Sequence, residues 1–180
     1  MANRLLLSEQ GIEERYSHVG ELQAYMQGKN TNIAGSALSI TTKKEKVTAA
    51  AWHPTKGMVM YPFAYTSDVW HTAQAVAPKV GVLQAKVRLA GKAKHVLCLT
   101  SASAKKSLHI LPADKQLKEA IYTLVWSEKE VVNYVNDVEV SRSKNPLAGE
   151  DLHLLMRSYL AENQKGTGKM DIDWVRIYQN

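Results

Sequence analysis

The groups from which this chain of 180 residues could build chemistry are few: six histidines, one cysteine, four tryptophans and a thin supply of well-placed carboxylates. The histidines stand at 18, 53, 71, 95, 109 and 153, with no ligand spacing of the kind zinc uses. Cys98 lies in the apolar run VLCL at 96–99 and reads as a small core residue, because a thiolate nucleophile needs an electropositive, partly open setting. Lys94 and His95 are close to it in sequence, but adjacent strand positions point to opposite faces. A lone cysteine also excludes an intrachain disulfide and any multi-cysteine metal site. The segment LHLLMRSY at 152–159 is more informative, since alternation sets His153, Arg157 and Tyr159 on one face and Leu152, Leu154 and Met156 on the other. An arginine beside a tyrosine can hold sugar hydroxyls, stack on a ring, or pair with a sulfate or uronate; it serves equally in an ordinary ion pair. Together with His109 and Asp114, these residues are the available acid–base groups. A histidine–tyrosine pair can take a proton next to a uronate carboxyl while Arg157 neutralises that carboxylate.

Aromatic side chains are the other resource, because a pyranose ring offers an apolar C–H face to stack on. Trp52, Tyr61, Phe63, Tyr65 and Trp70 form a loose group, each able to serve as a core or loop anchor instead. Trp52 and Trp70, each followed by a histidine, are the candidates for exposed platforms, whereas Trp126 and Trp174 read as core.

What must position these groups is a set of short strands. The last stretch, KMDIDWVRIY at 169–178, alternates apolar and polar residues with β-branched and aromatic side chains, as a half-buried strand does. Similar runs recur at 22–26, 32–42, 82–89, 95–100, 108–110, 131–135, 138–141 and 152–159, with further strands within 66–77 and 117–126. Residues 117–126 could open with a helical turn, and Asn136-Asp137 signals a tight hairpin without the usual glycine. Residues 43–64 read as a long loop or loose hairpin. About eleven strands at spacings of ~8–12 residues, with almost no helix, predict an all-β antiparallel sandwich or barrel.

Hydrophobic content of 45% and charged content of 22% suit one globular domain over 1–180, large enough for a core without staples. The +6 charge comes from lysines spread along the chain, not from a concentrated basic stripe, which argues against a nucleic-acid partner. No apolar run approaches the ~20 residues of a membrane span, and the opening MANRLLL is shorter than the apolar core of a secretory signal. The chain is therefore read as cytosolic or as a mature form.

Five stretches in order resemble glycoside hydrolase family 16, the laminarinase and lichenase group. GELQAY at 20–25 resembles the family's NELQYY strand, and NIAGSALSITT at 32–42 resembles its glycine-containing second strand. YTS at 65–67 with GVLQAKVRL at 81–89, then YTLVWSEKEVVNYVND at 122–137, and finally DIDWVRIY at 171–178 continue the match; residues 1–20 fit poorly. The resemblance implies an antiparallel two-sheet β-sandwich, the concanavalin A-like jelly roll, with polysaccharide or oligosaccharide as partner. It also implies export, to the extracellular, periplasmic or cell-surface space. A structural calcium is implied through Asp173 and the carbonyl of Gly35, and no other cofactor.

The family's catalytic motif, E-x-D-x-E, departs here. Alternate residues of one strand point into one cleft, so three carboxylates line up there, and retaining chemistry needs nucleophile and acid about 5–5.5 Å apart. On this chain the motif falls on Ser107, His109 and Leu111 (or Pro112), none of them acidic, and Asp114 is the sole carboxylate between Gly81 and Glu119. The expectation is a catalytically degenerate domain that binds carbohydrate in a concave cleft through Trp52, Trp70, His109, His153, Arg157 and Tyr159. A glycosidase or lyase with relocated groups, or a structural or protein-binding sandwich, are the alternatives.

Overall fold

A computed structural model describes residues 16–76, 79–101 and 106–179. They form thirteen strands and no helix: β1 (Gln23–Tyr25), β2 (Thr31–Ala34), β3 (Ala37–His53), β4 (Gly57–Ser67), β5 (Val69–His71), β6 (Gly81–Gly91), β7 (Lys94–Thr100), β8 (Ser107–His109), β9 (Glu119–Trp126), β10 (Glu130–Val135), β11 (Val138–Lys144), β12 (His153–Tyr159) and β13 (Gly168–Gln179). A nine-stranded sheet runs β1-β4-β3-β13-β6-β9-β10-β11, with β2 beside β3, and a four-stranded sheet runs β5-β12-β7-β8. Every pairing is antiparallel except β1 with β4. The molecule is an all-β two-sheet sandwich, as the alternation predicted.

The sheets meet through one apolar layer. Leu83, Ala85 and Val87 of β6, Tyr122, Leu124 and Trp126 of β9, and Met170 and Ile172 of β13 face Leu97 and Leu99 of β7, Leu108 of β8 and Leu154 of β12. Full burial of each large side chain is worth ~1.5–3 kcal/mol, so strict alternation on these strands is what fixes their register. Two-sheet packing also explains why β7 is buried along nearly its whole length: one face meets the core, and the other carries Val96 and Cys98 against Leu155.

Four local features differ from the sequence reading or sharpen it. Residues 43–64 are the main part of a long hairpin, paired from Lys43↔Thr66 to His53↔Gly57, with a bulge between Lys44 and Val47. The segment before Trp126 is strand from Glu119, with no helical turn. The Asn136-Asp137 turn forms as expected, and both residues take the left-handed conformation (φ 48° and 65°) that a two-residue hairpin of this hand demands. Trp174 is not core. A bulge at Asp173 pairs Ile172 with Val87 but Trp174 with Lys86, turning the indole to the outer face, where the Arg176 guanidinium lies 4.6 Å over its ring.

β4 leaves the large sheet and β5 joins the small one across a single residue, Asp68, which is fully buried. Its carboxylate accepts hydrogen bonds from the backbone N–H groups of Met26, Gly28 and Asn30 and from the Thr31 hydroxyl, at 2.8–3.1 Å. One buried anion thus holds the turn at 26–31 against the point where the chain changes sheets.

Candidate carbohydrate-binding face

The small sheet has a core face and an outer face, and its register sorts the candidate residues between them. On the outer face β12 carries His153, Leu155, Arg157 and Tyr159, which align with Thr100, Cys98, Val96 and Lys94 of β7. His109 of β8 stands opposite Cys98, Ser107 opposite Thr100, and His71 of β5 opposite Leu155. His153, Arg157 and Tyr159 therefore share one face, and Leu154 and Met156 turn inward, as the alternation predicted. The centre of the outer face is apolar and closed: Val96, Cys98 and Leu155 are 8%, 1% and 0% exposed, so polar contacts with a ligand must come from the rim.

The richest part of that rim is the Arg157 end. Its guanidinium lies 4.9 Å over the Tyr159 ring, an arrangement worth ~0.5–1 kcal/mol where solvent reaches it. The buried hydroxyl of Tyr25 is next to Arg157; burial pushes it up to about 12, and the guanidinium charge pulls the other way. Glu21 joins the group. Burial holds its carboxyl above the ordinary range, opposed by the backbone N–H of His18 and by the charges of His18 and Arg157. Nothing in the spacing of residues 18–25 marks Glu21 and Tyr25 as part of this group, because it is the pairing of β1 beside β4 at the edge of the large sheet that brings this segment near Arg157.

At the opposite edge lies β8, where the resemblance puts the acids. Ser107 is half-buried and His109 exposed, while Leu108 enters the core. Leu111 does not share their face: it is 2% exposed and belongs to the core, since the chain bends so that Ile110 and Leu111 both approach the carbonyl of Leu97. The Asn133 amide of β10 donates to the His109 carbonyl at 2.6 Å, tying this edge strand to the large sheet. Beside it opens a groove of about 340 Å³ lined by Ser107, His109, Asp114, Asn133 and Lys144 among others.

No strand of the small sheet contains an aspartate or glutamate. Two-carboxylate hydrolysis has no pair to use on it. The relocated histidine–tyrosine pair does not assemble either. His109 aligns with Cys98 and Tyr159 with Lys94, four residues along and two strands across, which is roughly 16 Å at standard strand spacings. His153 lies two residues along and two strands across from His109 by the same register, roughly 12 Å, and its Nδ1 is 3.1 Å from the Thr72 carbonyl.

The tryptophans separate from this group. Trp70 pairs with Met156 and so faces the core side. Its indole N–H donates to the Thr31 hydroxyl at 2.6 Å, which in turn donates to Asp68, making Trp70 an anchor for the 26–31 turn. A Cβ on Gly28 would come 3.3 Å from its ring, so the turn is moulded to the indole. Trp52 is 41% exposed, but on the β3–β4 hairpin, away from β12.

The calcium donor set does not fit. Asp173 bridges Lys86 at 3.2 Å and Arg88 at 3.3 Å, so its charge is balanced and a divalent ion would meet two cations. Among the described residues no three His, Cys, Asp or Glu side chains come together as a metal site, and Gly35 contributes only a tight turn at φ 57°.

Comparison with solved structures identifies the sandwich. The catalytic domain of an endo-1,3-β-glucanase (laminarinase) from Thermotoga petrophila superposes with a TM-score of 0.69 at 17% identity, covering 89% of this chain and 84% of that one. A non-specific endo-β-1,3(4)-glucanase of family 16, co-crystallised with a cellobiosyl oligosaccharide, gives 0.70 at 18% identity, covering 94% and 84%. The κ-carrageenase of Pseudoalteromonas carrageenovora, in complex with a κ-carrageenan oligosaccharide, gives 0.66 at 14% identity, covering 88% and 85%. No family model matches the sequence, and no curated protein matches it. The fold is that of the family 16 laminarinases and carrageenases, and no helix among the described residues is long and apolar enough to cross a membrane.

Proposed function

We propose that this chain is a polysaccharide-binding domain on a family 16 glycoside hydrolase scaffold, one that holds its glycan without cleaving it and works outside the cell, alone or as an accessory to an enzyme. The observation that carries this reading is the pairing of a glucanase fold with a small sheet whose four strands contain no carboxylate. Arg157 and Tyr159 would supply a guanidinium and a ring face to one sugar unit, with Glu21 accepting from its hydroxyls. His153 and His109 would meet the glycan further along the rim. A glycan bearing sulfate or carboxylate gains most from Arg157, because a charge-assisted contact is about twice as strong as a neutral one.

Titration calorimetry against a β-1,3-glucan, a neutral galactan and a sulfated galactan tests this, with reducing-end release measured on the same mixtures. Saturable binding without new reducing ends supports it; no binding to any of the three overturns it. The closed apolar centre of the outer face, Val96, Cys98 and Leu155, favours a second reading, a sandwich that binds protein. Pull-down with the intact chain, repeated with Arg157→Ala, separates the two.

A further inference from the structure

The β3–β4 hairpin has two faces, and the register assigns each. Val47, Ala49 and Ala51 with Tyr61 and Phe63 turn inward onto Val19, Ala24 and Met26. Cross-strand pairing therefore sets Trp52 beside Met58, Ala50 beside Met60, and Thr48 beside Pro62 on the opposite face. That face is exposed: Trp52 by 41%, Met58 by 50% and Met60 by 67%. Three large apolar side chains aligned along one face of one hairpin form a patch, which isolated surface residues do not.

Two further observations say what covers it. Near the base of the same face lies a shallow hollow of about 390 Å³, bordered by Lys46, Thr48, Pro62 and Ala64. The hairpin is also one-sided in charge. Residues 43–67 hold four lysines, Lys43, Lys44, Lys46 and Lys56, against the single carboxylate of Glu45, and that carboxylate already accepts from the Thr66 hydroxyl at 3.0 Å. An apolar strip flanked by cations, its one acid engaged by the Thr66 hydroxyl, complements an anionic amphiphile. A glycan suits it less, because methionine offers no flat ring to stack on. Tryptophan and lysine are the side chains that settle at the boundary between lipid headgroups and acyl chains.

We propose that the outer face of the β3–β4 hairpin docks on an anionic lipid surface, Trp52, Met58 and Met60 entering the headgroup–acyl boundary while Lys46 and Lys56 meet lipid phosphates. The site is independent of the glycan face, since it uses none of its residues. It gives the domain a second attachment point, on the opposite side of the large sheet from the small one.

Flotation of the full chain with vesicles tests it. The chain is expected to float with phosphatidylcholine vesicles containing phosphatidylglycerol and to stay behind with phosphatidylcholine alone. A Trp52→Ser/Met60→Ser variant is expected to bind about tenfold more weakly, by the apolar area withdrawn from the interface. Lys46→Glu/Lys56→Glu, which leaves the apolar strip intact, should also lose binding, and added salt should weaken the wild type. Val138→Ser, at a 65% exposed site in another hairpin, should bind as the wild type does. Failure to float with the anionic vesicles, or flotation unchanged in both hairpin variants, overturns the proposal. So does self-association through this face, seen as a dimer that Met60→Ser dissociates, or retention on a sulfated polysaccharide without vesicle binding.

Discussion

His95 ties the stability of the whole sandwich to pH through one imidazole. It is 5% exposed, with Nδ1 2.8 Å from the Ser158 hydroxyl, and desolvation lowers its pKa from 6.5 to about 4. A base whose folded pKa is depressed is neutral in both states above pH 6.5, so its contribution is constant there. Below 6.5 the unfolded chain takes up a proton that the folded chain refuses, and stability falls until about pH 4, by at most about 3 kcal/mol. Urea unfolding of His95→Asn across that range should show a flatter slope than the wild type; an identical slope would remove His95 from the cause. Asp68 is the second single-residue determinant. Asp68→Asn places an amide donor among four donors and should cost roughly 2–4 kcal/mol, with a change in Trp70 fluorescence as the 26–31 turn loosens. An unchanged midpoint and spectrum would mean that the Asp68 carboxylate does not hold the turn.

At the scale of elements, the turn between β10 and β11 offers a clean measurement. Asn136 earns its place, since its side chain accepts from the Ile121 N–H at 2.9 Å. Asp137 only holds φ 65°. Asp137→Gly should therefore stabilise the chain by ~0.5–1 kcal/mol in thermal unfolding; destabilisation would reveal a contact for that side chain. The same scale shows what the sequence displays and what it hides. Regular alternation made β6, β12 and the part of β13 before Asp173 legible, along with the split of His153, Arg157 and Tyr159 from Leu154 and Met156. Bulges hid the rest. Asp173 inserts one residue into β13 and reverses the faces beyond it, which is why Trp174 reads as core and is not. The bulge after Lys44 breaks the period of β3, so its continuation beyond Thr42 reads as a long loop or loose hairpin. Trp70 is hidden differently: its partner Thr31 lies 39 residues away, a contact with no local signature.

For the whole molecule, the comparison speaks to the fold. Two sheets and their shared core are kept, at TM-scores of 0.66–0.70 to glucanases and a carrageenase, while the strand expected to bear the acids is a three-residue edge, Ser107–His109. Asn133 ties that edge to the large sheet through the His109 carbonyl. The candidate site was only half legible. Arg157, Tyr159 and His153 follow from period-two alternation, but Glu21 and Tyr25 arrive from a distant segment, and the rows across β12, β7 and β8 place His109 far from Tyr159.

The most direct measurement is titration calorimetry of the wild type and Arg157→Ala against a sulfated galactan, with reducing ends counted at the end of each titration. Saturable binding by the wild type, weakened about tenfold in Arg157→Ala by loss of one charge-assisted contact, with no reducing ends released by either, is the predicted result. Release of reducing ends, or affinity indifferent to Arg157, would contradict it.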